Sequence, residues 1–247
     1  MYNIIMIIII VTIIITITMG KLIKALNILS LHGKGGTGLT FKTKLKPLID
    51  SFNNNNWHFL DGPHILDNNR KRLNTENRKD DDNVNKKIDR AWWLLPDNIR
   101  SFEALKYEGV DQSIQLIESN IKSNNIDVII GHSQGAMMGG IILARSILGV
   151  NNISNLKGAI LSSPAWPLPF TGMLEDLSNV ESIEEKKIQT IFTIGLEDKV
   201  NPPAQSKMIA DVFKSSTNVH IFEHNYGHVL PIDTKAIEIY SKLLKIL

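Results

Sequence analysis

A serine hydroxyl attacks carbon only beside a base, and the base works only when an acid orients it. Residues of those three types stand at separated points of this chain. Ser133 lies in Gly131-His132-Ser133-Gln134-Gly135, Asp198 closes Gly195-Leu196-Glu197-Asp198, and His228 closes His224-Asn225-Tyr226-Gly227-His228. An apolar run, Ile126 to Ile130, leads into the first glycine, and Ala136 to Leu148 continues at helical spacing. Gly-x-Ser-x-Gly between a strand and a helix makes a very sharp turn. The serine backbone is strained there, and side chains two residues to either side would collide with the neighbouring strand and helix. Ser133 is thereby lifted above the amino end of a helix, which favours developing negative charge. A glycine-rich helix start with a capping serine accounts for Ser133 but leaves the two glycines unexplained.

His228 is the preferred base, in a glycine-containing loop after the last strand; His224, nearer the strand end, is its rival. His220, His224 and His228 recur every four residues, which on a helix would suggest a metal face. Val219 and Ile221 alternate as in a strand and Gly227 marks a loop, so no metal site is read. Asp198 is the preferred acid and Glu197 its rival; the bland role for Asp198 is to cap the turn after it. Attack on an acyl carbon creates an oxyanion that needs two N–H donors. The backbone of Gln134, the residue after the nucleophile, offers one, and the backbone of Lys34, just past His32-Gly33, the other. This chemistry needs no cofactor.

Elements able to position these residues recur along the chain. Strands are expected over 26–31, 57–60, 126–130, 156–161, 188–194 and 218–222, and helices over 40–52, 101–123, 136–148, 203–213 and 233–246. Six strands alternating with helices predict a mostly parallel six-stranded sheet with helices on both faces, and Gly-x-Ser-x-Gly between a strand and a helix makes it an α/β-hydrolase fold. Ligands sit at the carboxyl ends of such strands. Ser133, Asp198 and His228 all follow predicted strands, in the chain order that α/β-hydrolases use. Residues 67–89 are nearly all Asn, Lys, Arg and Asp and read as a solvated insertion in the domain at 21–247. Trp92 and Trp93 return to apolar sequence without a period; they wall a substrate pocket or pack in the core. Pro167 to Glu185 looks irregular and is placed as a cap over the site.

The 247 residues suffice for one domain with a full core, and 43% hydrophobic against 21% charged is ordinary for a globular chain. A net charge of +2 without clustered Lys and Arg argues against nucleic acid as a partner; a small ester or thioester fits instead. The absence of cysteine excludes disulfides, thiolate metal sites and a cysteine nucleophile. Residues 1–20 form a separate apolar segment. As a helix, Met1 to Met19 would be roughly 26 Å long, at the short end for a bilayer. Two readings stand. One is an anchor through residues 3–19, followed by Lys21 and Lys24, with the catalytic domain in the cytosol. The other is a run ahead of a true start at Met19, leaving a cytoplasmic enzyme.

One rival comes from another class. Lys34-Gly35-Gly36-Thr37-Gly38-Leu39-Thr40 is similar to the deviant phosphate loop of partition-type ATPases, but Leu39 stands where the phosphate-contacting lysine belongs. That reading leaves Ser133, Asp198 and His228 without a role. A catalytically dead scaffold with a binding role is the other alternative. The chain resembles the FSH-type serine hydrolases, the group of the ovarian-cancer-associated esterases and the thioesterase that releases the lovastatin side chain. The resemblance rests on Leu31-His32-Gly33, Asp61-Gly62-Pro63, Arg90-Ala91-Trp92-Trp93, Gly131 to Ala136, Gly195 to Asp198 with Val200 and Pro202-Pro203, and Gly227-His228-Val229-Leu230-Pro231. It spans about Leu26 to Leu247. It implies a short α/β-hydrolase without leading antiparallel strands, cleaving carboxylic esters or thioesters by Ser133, Asp198 and His228. Lys34 to Gly38 is richer in glycine than the family's usual loop, and Asn225-Tyr226 stands where Pro-Gly is frequent.

Overall fold

Side chains on successive strand residues point to opposite faces, and in this chain both faces are apolar. Ile28 is buried on one side of the first strand, Leu29 and Leu31 on the other; Val128 and Ile130 oppose Ile129, and Ile160 opposes Ala159 and Leu161. Such runs require cover on both sides, which is how parallel sheets are built. The computed structural model describes residues 25–66, 88–180 and 188–247. Its strands are β1 (Asn27–Leu31), β2 (Asn56–Leu60), β3 (His64–Ile65), β4 (Arg90–Ala91), β5 (Val128–His132), β6 (Gly158–Ser162), β7 (Gln189–Gly195) and β8 (Asn218–His224). The helices are α1 (Gly38–Lys44), α2 (Lys46–Ser51), α3 (Val110–Asn124), α4 (Gln134–Ile147), α5 (Thr171–Ser178), α6 (Pro203–Phe213) and α7 (Thr234–Ile246).

Six strands form one all-parallel sheet in the order β2-β1-β5-β6-β7-β8, and β3 pairs with β4 in a separate antiparallel ribbon. Helices α3, α4, α5 and α6 share one core with the sheet; α1, α2 and α7 share the other. The chain leaves β1 toward β2 on one side and returns to β5 on the other. The loops after β1 and β5 therefore part at the point where strand order reverses, which opens a crevice at the carboxyl edge.

Three elements differ from expectation. The helix over 40–52 is two helices meeting at Leu45, with Pro47 in the first turn of α2. Proline has no N–H to donate and clashes with a preceding helical carbonyl, so it starts a helix and cannot continue one. The helix over 101–123 begins only at Val110, because Gly109 is left-handed at φ +75° and Glu108 bridges to Leu94. The stretch placed as an irregular cap holds α5, whose Leu174 and Leu177 are buried in the core beside α4 and α6. The segment 1–20, and the insertion apart from Ile88 and Asp89, lie outside the described residues. Among the described residues no helix is long and apolar enough to cross a membrane.

Candidate active site

Ser133 sits between β5 and α4 with φ +55° and ψ −120°, a left-handed backbone that a non-glycine residue adopts only when its surroundings impose it. The glycines impose it by close approach. A Cβ on Gly131 would strike the Gly135 carbonyl, and one on Gly135 would strike the Leu31 carbonyl of β1. The expected collisions are thus with α4 on one side and β1 on the other.

Two further loops converge on Ser133. His228 follows β8, and its Nε2 lies 2.7 Å from Ser133 Oγ. Its Nδ1 lies 2.6 Å from Asp198 Oδ2. The loop carrying His228 rests on Gly195 at the end of β7, where a Cβ would come within 2.6 Å of the Tyr226 carbonyl oxygen. Asp198 is 5% exposed. Its Oδ1 accepts the backbone N–H groups of Val200 at 2.8 Å and Asn201 at 2.9 Å. The turn-capping role and the histidine-orienting role are therefore both present, one on each oxygen. Burial would raise the Asp198 pKa, but hydrogen bonds from His228, Asn201 and Val200 outweigh it and hold the carboxyl below its ordinary value. The rivals fall outside this arrangement. Glu197 is exposed, and His224 is buried on β8, with Nδ1 accepting the Tyr226 N–H at 3.3 Å. His220 and His224 share a strand, so the four-residue spacing builds no helical metal face.

With this geometry in view, comparison with known proteins is informative. The serine hydrolase (FSH1) family profile matches residues 21–240. The chain belongs to the FSH1 serine hydrolase family. An esterase of Aedes aegypti is 27% identical over 225 residues, covering 89% of this chain and 75% of the relative. An esterase of Caenorhabditis elegans is 25% identical over 223 residues, covering 85% and 88%. In three dimensions the chain is similar to Arabidopsis thaliana SOBER1, with TM-score 0.62, 16% identity and coverage of 90% and 98%. It is also similar to Zea mays acyl-protein thioesterase 2, with TM-score 0.61, 18% identity and coverage of 89% and 94%. These solved structures share the α/β-hydrolase fold.

In this FSH1-family chain the loop after β1 closes the other side of the cleft. A Cβ on Gly33 would lie 3.3 Å from the Ser133 Cβ, so this loop abuts Ser133. The next glycines are tied down: Gly35 N–H donates to the Arg90 carbonyl at 2.8 Å and Gly36 N–H to the Gly33 carbonyl at 3.0 Å. Gly38 N–H donates to Asp61 Oδ1 at 2.7 Å, and Thr37 caps α1 in a reciprocal pair with Thr40. The amides that a phosphate cradle would use are thus committed, against the ATPase-like reading of residues 34–40. Lys34 N–H has no acceptor among the described residues. Gln134 opens α4, where an N–H has no partner in a preceding turn.

Of the two places expected for Trp92 and Trp93, a pocket wall or the core, the structure gives them the core. Neither is exposed and neither lines the cleft. Trp92 Nε1 donates to the His32 carbonyl at 2.7 Å, and Trp93 stacks on Tyr107 with centroids 4.3 Å apart. Their backbones are held by the Gln134 side chain, whose Oε1 accepts the Trp92 N–H at 2.8 Å and whose Nε2 donates to the Trp93 carbonyl at 3.0 Å. Ser113 Oγ donates to the Trp92 carbonyl. His32 completes this frame. Its Nδ1 is 2.8 Å from the Gly33 carbonyl and must donate; its Nε2 accepts the Gly62 N–H at 2.9 Å. Both ring nitrogens are fixed, so the ring is a neutral tautomer, and burial lowers its pKa accordingly. Sequence reading missed the Gln134 side chain, His32 and Ser113 as supports, because their partners Trp92, Trp93 and Gly62 lie 21 to 42 residues away along the chain. The one available signal was a polar residue set directly against a buried strand.

His132, between Gly131 and Ser133, packs its ring on His228 with centroids 4.9 Å apart. Burial, with the nearby His228 and Lys44 charges, lowers its pKa to about 3.

Proposed function

We propose that the chain hydrolyses carboxylic esters or thioesters with Ser133 as nucleophile, His228 as general base and acid, and Asp198 as the group that orients the imidazole. The observation that carries this is the unbroken hydrogen-bond chain from Ser133 Oγ through both nitrogens of His228 to Asp198, at 2.7 and 2.6 Å. Asp198 fixes the proton on Nδ1, which leaves Nε2 free to accept. Ser133 Oγ attacks the acyl carbon as its proton passes to His228. The oxyanion is held by the backbone N–H groups of Gln134 and Lys34. Collapse breaks the bond to the alcohol or thiol, which leaves with the proton from His228. Water, deprotonated by His228, then attacks the acyl-enzyme and restores Ser133 as the acid departs. The esterase relatives support ester hydrolysis, and the likeness to an acyl-protein thioesterase keeps thioesters in view.

A fluorophosphonate probe labels a serine that a base has activated. Labelling of the purified chain is expected at Ser133 and lost in His228→Ala. Ser133→Ala is expected to fold and to lose turnover of a 4-nitrophenyl ester by roughly 10³-fold or more. A folded Ser133→Ala protein with undiminished turnover removes Ser133 as nucleophile. No labelling of a folded sample leaves the dead-scaffold reading in place.

A further inference from the structure

The cleft beside Ser133 has a volume of about 290 Å³ and is lined by the Gly33–Gly36 backbone and by Lys34, Thr40, Phe41, Lys44, His132 and His228, among others. Phe41 is the one large apolar side chain on its wall, and it is 3% exposed. A site that holds a long neutral acyl chain is walled mostly by apolar and aromatic groups; this one is not. Its lining residues, among those described, include two lysines and no carboxylate, and α1 contains no acid.

Neighbouring cations face other groups: Lys42 Nζ lies 6.0 Å from the centre of the Phe59 ring. Lys46 pairs with Asp50 at 2.8 Å, and Arg90 faces Asp61 at 3.6 Å. Asp61 is itself engaged by the Gly38 N–H. Among the described residues Lys34 and Lys44 have no carboxylate partner. The charge of Lys44 reaches into the catalytic cluster, where it helps to keep His132 neutral. A lysine in the last turn of α1 also complements the helix dipole, but that role puts no demand on a ligand.

We propose that the site selects esters or thioesters bearing an anionic group, a carboxylate or a phosphate, which Lys44 binds from the wall of the cleft with Lys34 beside it. This rests on the reading of Ser133 as an ester-cleaving nucleophile and names its substrate class. An anion there makes charge-assisted hydrogen bonds to an ammonium that has no carboxylate partner among the described residues. The substrate's charge thereby positions the acyl carbon over Ser133.

Two matched pairs of substrates test this with the full chain. Mono-4-nitrophenyl adipate and 4-nitrophenyl hexanoate differ by a carboxylate on the acyl side. The hexanoyl esters of 4-hydroxybenzoate and 4-hydroxybenzamide differ by a carboxylate on the leaving side. The expected result is that one anionic ester exceeds its neutral twin in kcat/KM by about tenfold or more, the effect of one hydrogen bond to a charged group. The pair that shows it identifies the side on which the anion sits. Lys44→Glu and Lys44→Gln are expected to shrink that ratio about tenfold, and added salt to shrink it in the wild type. Ratios near one in both pairs, or a ratio unmoved in both variants, overturn the proposal while leaving the hydrolase intact. Failure of the wild type to cleave any of the four esters overturns the hydrolase reading and this one with it.

Discussion

Asp198 divides its two oxygens between two tasks, and that division predicts what a minimal change does. Oδ1 accepts two backbone N–H groups and Oδ2 faces His228 Nδ1. An asparagine keeps one acceptor, which the two N–H groups occupy, so its NH₂ turns to His228. Nδ1 must then accept, and Nε2 carries the proton and cannot take the one on Ser133. Asp198→Asn is therefore expected to lower kcat by roughly 10⁴-fold with little change in KM. Steady-state kinetics beside a thermal melt checks this; a loss below tenfold in a folded protein would mean that Asp198 only caps its turn. The convergence of Ser133, Asp198 and His228 was legible in the sequence because each follows a strand-like run. Loop position favours Asp198 over Glu197 and His228 over His224, and in three dimensions it is the hydrogen bonds of His228 to Ser133 and Asp198 that separate them from their rivals. The two tryptophans were not legible. An apolar run without a period carries no direction, and the contacts that bury Trp92 and Trp93, with Gln134, His32 and Tyr107, come from distant parts of the chain.

At the scale of elements, the elbow works because β1, β5 and α4 meet with no room for a side chain at two positions. Gly135 lies against the carbonyls of Leu31, the last residue of β1, and of His32 just after it. The obstacle is backbone in the middle of the sheet, which cannot swing aside as a side chain would. Gly135→Ala is expected to lower stability by roughly 1–3 kcal/mol or more, read as a lower urea midpoint with an unchanged slope. An unchanged midpoint would show that the elbow and β1 are not in contact. Strands β1, β5 and β6 were legible as apolar runs, since a parallel sheet buries both their faces, while the edge strand β8 was legible from the alternation of Val219 and Ile221. Helix boundaries were less so. Pro47 splits one expected helix, and Gly109, left-handed at φ +75°, delays another past its apparent start. The α5 helix was hidden because Leu174 and Leu177 give it only one short apolar turn amid polar neighbours.

At the scale of the whole molecule, the site rests on two histidines held neutral, and this ties stability to pH. Burial lowers the pKa of His32, and burial with nearby positive charge lowers that of His132 to about 3, from an ordinary 6.5. Unfolding returns both rings to the ordinary value. Above pH 6.5 they are neutral in both states and contribute no pH dependence. Below it the unfolded chain binds protons that the folded chain refuses, so stability falls as pH falls, and His132 keeps the slope going until about pH 3. Each ring adds at most about 1.4 kcal/mol per pH unit, less where solvent reaches it. Asp198 acts in the same direction lower down. Its depressed carboxyl stabilises the fold above the ordinary carboxylate range, and that contribution is lost as pH drops through the folded value. The urea midpoint is thus expected to be level above pH 7 and to decline steadily from 6.5 to 5. His132→Asn, which cannot take up a proton, is expected to decline less steeply over that window whatever its midpoint at pH 7. Parallel curves for the variant and the wild type would mean that His132 accepts a proton in the folded state. The ring packed on His228 would then carry a charge at mildly acidic pH.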